Sequence, residues 1–109
     1  MNTKTTLLAL FSTLALVAAA AAADPKENWQ KTCTKCHGAD GKGETKIGKV
    51  LGIKDFTNGQ YQDSLKEADM LKAIKEGIKD GDKTKMKPAE GLSDDEIKAL
   101  VAYVRAFKK

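Results

Sequence analysis

Cys33-Thr34-Lys35-Cys36-His37 is the stretch on which the reading of this chain turns. Two cysteines separated by two residues, with a histidine directly after the second, is the spacing of a c-type haem attachment. In a helix, Cys33 and Cys36 lie three apart on one face, where each can form a thioether to one vinyl edge of a porphyrin. His37 follows the second bond directly, and a neutral imidazole is a good iron ligand.

Five residues can match by chance, and a paired cysteine has other uses. A thioredoxin-like dithiol belongs beside a βαβ pattern, and no strand-like alternation is visible in this chain. A structural zinc site takes four ligands, whereas the sequence holds one histidine and two cysteines. A short-loop disulfide stays open at this point, behind haem attachment.

Length and composition set the outer bounds. With 109 residues, one domain is expected. Lys4, the apolar run Leu7 to Val17 and the small residues Ala18 to Ala23 before Asp24 read as a cleaved secretory signal over 1–23. The alternative, a membrane anchor, wants a longer apolar span than this run supplies. Cleavage removes one lysine and no acid, leaving 86 residues, 24–109, with net charge +3. So small a domain buries a modest core and needs a staple, which a covalent haem would be. Export also suits cysteines that are not kept reduced. Lysines alternate with acids instead of forming a basic block, which argues against nucleic acid as a partner. No second apolar run is present, so no membrane span is expected after cleavage.

Asp24-Pro25-Lys26-Glu27 has the form of a helix start, with Asp24 as cap, Pro25 at the first helical position and Glu27 completing a capping box. That helix carries Trp29, four residues before Cys33 and on the same face, as core beside the cofactor. Gly38-Ala39-Asp40-Gly41-Lys42-Gly43 is a turn-forming run. It lacks the spacing and the Gly-Lys-Ser/Thr ending of a phosphate loop. From Glu44 to Asn58 neither period is clear, so a loop with room for a short turn of helix is expected over one side of the haem. Ser64-Leu65-Lys66-Glu67 is another capping-box pattern, followed by Leu71, Ile74 and Ile78 at helical spacing, with Gly77 as a stop. Met70, four before Ile74, reads as a core filler.

Asp80-Gly81-Asp82-Lys83-Thr84-Lys85-Met86-Lys87-Pro88 is polar and is expected to be a loop. Met86 is its only sizeable apolar side chain. A haem iron with an empty sixth position gives that thioether an inward destination, and Pro88 stiffens the strap presenting it. The competing reading is a methionine filling a gap in the core. The last helix is the clearest. Ser93-Asp94-Asp95-Glu96 is a capping box, Leu92 and Ile97 make a staple, and Ile97, Leu100, Val101 and Val104 form one apolar face. Its expected partner is the helix bearing Trp29, with Ala99 and Ala102 allowing close approach.

With these residues in view, nearly all of the chain after the leader resembles the class I monohaem cytochromes c, in particular the small bacterial ones. Residues Cys33 to Gly41 are similar to that family's attachment segment, Met86-Lys87-Pro88 to its methionine loop, and Leu92-Ser93 through Tyr103-Val104-Arg105 to its terminal helix. The resemblance implies an all-α cytochrome c fold, three to five helices wrapped around one covalent haem c. It implies thioethers at Cys33 and Cys36, iron ligands at His37 and Met86, and packing of Trp29 against Tyr103 near the haem. Many members carry a proline about a dozen residues after the histidine, whose carbonyl accepts the imidazole N–H. Here that region reads Gly48-Lys49-Val50-Leu51, so the sequence does not name the carbonyl that orients His37.

The same resemblance implies a soluble periplasmic electron carrier, not an enzyme, cycling one haem between Fe(II) and Fe(III). Its partners would be a redox donor and an acceptor, docking transiently at the haem edge with interfaces below about 1,200 Å². Lys35, Lys46, Lys49, Lys83, Lys85 and Lys87 flank the segments expected there and either steer an acidic partner or are plain solvated surface. A monomer is expected. Two alternatives remain. One is a haem subunit of a larger dehydrogenase or oxidase; the other is a five-coordinate gas-binding protein if Met86 is not a ligand. Peroxidase action is disfavoured, because His37 is the only histidine and nothing obvious supplies a distal base.

Overall fold

The computed structural model describes residues 24–109. The expected leader, residues 1–23, lies outside the described residues. In chain order come α1 (Pro25–Thr32), α2 (Thr34–His37), α3 (Lys46–Leu51), α4 (Gly59–Ser64), α5 (Glu67–Glu76), β1 (Ile78–Asp80), β2 (Lys83–Met86) and α6 (Asp94–Arg105). The architecture is helical, as expected, with six helices among the described residues where three to five were anticipated.

Part of the higher count comes from the attachment stretch itself. Cys33 ends α1 and begins α2 with φ −112° and ψ −31°, so the two pieces run nearly as one helix, broken where the first thiol projects. Pro25 opens α1, and Asp24 caps it by accepting from the Lys26 N–H at 3.0 Å. Glu27 does not complete the anticipated box; it pairs with Lys31 at 2.8 Å. The complete box is on α6, where the Ser93 hydroxyl accepts from Glu96 N at 3.1 Å and Glu96 accepts from Ser93 N at 3.2 Å. A cap of this kind stabilises a helix by about 1 kcal/mol.

α6 packs across α1 and against α5. Its face Ile97, Leu100, Val101 and Val104 joins Trp29, Cys33, Met70, Ile74 and Ala89 in one buried cluster. Each of the larger aliphatic side chains contributes about 1.5–3 kcal/mol by leaving water. Ala102, expected at the helix crossing, is exposed. Two polar residues are buried with the cluster. Asn28 ties α1 to α6 by donating to Glu96 at 3.2 Å. Gln62, fully buried, donates to the Phe56 and Val104 carbonyls, each at 2.8 Å, joining α4 and the preceding loop to α6.

The short helical turn expected between Glu44 and Asn58 is α3, which Thr45 caps through Gly48 N at 2.8 Å and Gly52, at φ +67°, ends in the left-handed conformation. Three other local expectations are corrected. Ser64 does not cap α5. It closes α4 by donating to the Tyr61 carbonyl at 2.6 Å, and Lys66 takes the cap position without a side-chain bond. The expected loop before Pro88 is a small antiparallel hairpin, with Lys79 opposite Thr84 and Asp80 opposite Lys83. Gly77 does stop α5, so Ile78 falls in β1 and is 44% exposed, off the helical stripe. No alternation announced these strands, because they are three and four residues long and bury no complete face.

Candidate haem-binding cleft

A cleft of about 240 Å³ opens between α1, α4, α5, the hairpin and α6. Trp29, Phe56, Met70, Ile74, Leu100 and Val104 give it an apolar wall, and Cys33, His37 and Met86 face into the same space. Cys36, half-buried, lies one turn on from Cys33 and is not part of the lining. Tyr103 also stays out of the lining. It packs behind the wall against Trp29, ring centres 5.6 Å apart, with Phe107 5.1 Å from Trp29 on the same side.

The attachment segment is held by its neighbours. The Trp29 indole N–H donates to the Gly38 carbonyl at 3.1 Å, tying α1 to the turn after His37. The Gly43 N–H donates to the His37 carbonyl at 2.8 Å, and the Thr45 hydroxyl donates to the Cys36 carbonyl at 2.7 Å. Thr45 therefore both caps α3 and clamps the helix that carries the thiols. Gly48 sits so close that a Cβ there would overlap the carbonyl oxygens of Cys36 and Gly43.

His37 lies between aromatic rings, stacked on Phe56 with centres 5.0 Å apart and 5.7 Å from Trp29. Burial pulls its pKa below the ordinary histidine value, which keeps the imidazole neutral and its lone pair available. Its Nδ1 is buried without a hydrogen-bond partner among the described residues. The region after the attachment motif, where the resemblance would place a carbonyl for the imidazole, is occupied by α3. Burial, and then the charge of Cys36, push the Cys33 thiol up to about 11.

These features suit a haem. The wall is apolar, the half-buried imidazole carries a buried, unmet Nδ1, and soft sulfur donors approach from different elements. Both cysteines are free thiols. No group of three histidine, cysteine or acidic side chains gathers among the described residues, which removes the zinc reading for this part of the chain. Enclosed ligand sites commonly measure about 300–1,000 Å³, and this cleft of about 240 Å³ is a little smaller than that range.

Several contributors were not legible in the sequence. Phe56 is the only aromatic of its glycine-bearing segment, a faint signal in hindsight, yet it stacks on His37. Gln62 and Thr45 carried no signal at all, since their importance lies in which carbonyls they reach. Met70 proves to be both things at once: core, as expected, and cleft wall.

Comparison with known proteins agrees with this geometry. Residues 20–104 match the family model described as cytochrome c oxidase, cbb3-type, subunit III. Among solved structures, the KustC0563 c-type cytochrome is 33% identical with a TM-score of 0.70, over 80% of this chain and 100% of that one. A tyrosine-to-phenylalanine mutant of the same cytochrome is 32% identical with a TM-score of 0.68, over 79% of this chain and 100% of that one. No curated protein matches. A helical wrap around an apolar cleft, a paired-cysteine and histidine motif beside that cleft, and a family match across nearly all the described residues converge: this chain belongs to the monohaem class I cytochromes c, which carry covalently attached haem c.

Proposed function

We propose that the chain is a soluble single-electron carrier, with haem held by thioethers at Cys33 and Cys36 and iron ligated by His37 and Met86. The observation that carries this reading is that His37 and Met86, on separate elements, face one apolar cleft beside Cys33. Met70 is the other soft donor in the wall, but it is embedded in the buried face of α5 with Ile74. Met86 is half-buried at the end of a strap and only borders the core cluster.

When bound, the haem supplies an iron that exchanges one electron between its ferrous and ferric states. The protein keeps that exchange clean. His37 and Met86 would hold the iron between them and leave no place on it for a substrate. The Trp29, Phe56, Ile74, Leu100 and Val104 wall excludes water and disfavours the extra positive charge of the ferric state, which raises the potential. Lys35, Lys46, Lys49, Lys83, Lys85 and Lys87 are all exposed, and they would draw an acidic partner to the haem edge. Among the described residues no helix is long and apolar enough to cross a membrane. We read the mature protein as periplasmic, monomeric and starting at Asp24.

Oxidised and reduced spectra of the haem-loaded protein test the ligand set. Met86→Ala should lose the weak near-infrared band of sulfur on ferric iron and bind carbon monoxide readily when reduced. Met70→Ala should keep the band and lose about 2–5 kcal/mol of stability. An unchanged low-spin spectrum in Met86→Ala would overturn the assignment. The family description favours a second reading, in which the chain serves as the cytochrome subunit of an oxidase. Purification from its source as a stable complex, and not as a free protein, would move the assignment there.

A further inference from the structure

The strap carrying Met86 packs against a residue outside the cleft lining. α5 ends at Gly77, whose φ of +76° and ψ of −176° lie in a region open essentially to glycine alone. The chain turns there into β1, and β2 brings it back so that Met86 pairs with Ile78, the residue next to Gly77. The two backbones then run in contact. A Cβ on Gly77 would overlap the Met86 carbonyl oxygen and stand 2.9 Å from Pro88 N and 3.0 Å from Pro88 Cδ. Just beyond, the Ala89 N–H donates to the Ile74 carbonyl at 2.8 Å. The strap is thus pressed on the end of α5 at Gly77 and bonded to α5 one turn earlier. Since α5 is itself anchored in the core by Met70 and Ile74, Gly77 is the point against which the Met86 backbone is registered.

We propose that Gly77 is a positioning residue for the axial methionine: the missing side chain lets the strap seat, and the seated strap brings the Met86 sulfur within bonding reach of the iron. This rests on the reading of Met86 as ligand. Any side chain at 77 pushes the Met86 carbonyl and Pro88 away from α5. The sulfur then leaves the iron part of the time, and an outside ligand can enter. An external ligand binds in proportion to the fraction of molecules whose site is open, so imidazole affinity reports the displacement directly.

Gly81 provides the control. It sits in the hairpin turn at φ +59°, a left-handed value that strains alanine less than the backbone at Gly77 does, and its Cβ would meet nothing within 4 Å. Haem-loaded Gly77→Ala, Gly81→Ala and Met86→Ala are compared for the ferric sulfur band, reduction potential and imidazole binding. Gly77→Ala should weaken or lose the band, lower the potential and bind imidazole about tenfold more tightly or better, while Gly81→Ala stays with the parent in all three. If Gly77→Ala matches Gly81→Ala, the proposal is wrong. If Met86→Ala itself keeps the band, the ligand reading has failed, and that result is separate. Should Gly77→Ala not fold, Ala89→Pro removes the donor to Ile74 and loosens the same strap from its far side. It should show the same shift, and parent-like imidazole binding in that variant would equally overturn the proposal.

Discussion

Replacing Gln62 by leucine removes a side chain that shows no surface to solvent and holds three parts of the domain together. Its Nε2 donates to the Phe56 and Val104 carbonyls, each at 2.8 Å. The Arg105 guanidinium donates to the Gln62 backbone carbonyl at 2.6 Å, to Oε1 at 3.3 Å and to the Leu65 carbonyl at 2.6 Å. Leucine is similar in size, so cavity formation is a minor part of the cost. Losing the two Nε2 hydrogen bonds accounts for about 1–3 kcal/mol. Leaving the Phe56 carbonyl without this donor adds about 1 kcal/mol or more, whereas the Val104 carbonyl keeps the Phe107 N–H at 3.2 Å. The expected loss is about 2–4 kcal/mol. Urea unfolding of the haem-loaded protein measures it: with a slope of about 1–1.5 kcal/mol per molar for so small a domain, the midpoint should fall by about 2 M. Phe56 stacks on His37, so the variant should also broaden the haem spectrum before unfolding begins. A midpoint shift under about 0.5 M would refute the reasoning, because Gln62 would then be a passenger in the core.

Other outcomes follow from the same structure. Thr45→Val removes both the cap of α3 and the clamp on the Cys36 carbonyl, and should lower stability by about 1–2 kcal/mol in thermal unfolding. Asp55 is held below the ordinary carboxylate pKa of 3.8, chiefly by the Thr57 hydroxyl and then by its N–H. A depressed folded pKa stabilises above the unfolded value and is lost as pH falls through the folded one. Thr57→Val should therefore move the Asp55 titration upward by NMR and flatten the loss of stability below about pH 4.

How much was readable in advance differs from element to element. The attachment motif declared itself because covalent chemistry demands particular residue types at one spacing. α6 was equally plain, since a capping box followed by apolar residues at helical intervals is a local pattern that tertiary contacts only confirm. The hairpin was hidden because its strands bury no face, and alternation is the main signal by which a sequence announces a strand. The pattern at Ser64 does not by itself place the cap of α5, because that side chain can bond either backwards or forwards, and α4, seated by Gln62, decides between them.

For this chain, then, the sequence alone specified the cofactor chemistry, the family and the helices at both ends, all properties encoded within a few consecutive residues. Only the tertiary structure decided how the cleft is built: Phe56 on His37, Gln62 reaching across to Val104, Thr45 on Cys36, and the Met86 strap resting on Gly77. Those are contacts between residues separated along the chain, often through backbone carbonyls that every residue shares. Residue identity cannot announce such pairings, since the partner is defined by position in space and not by type.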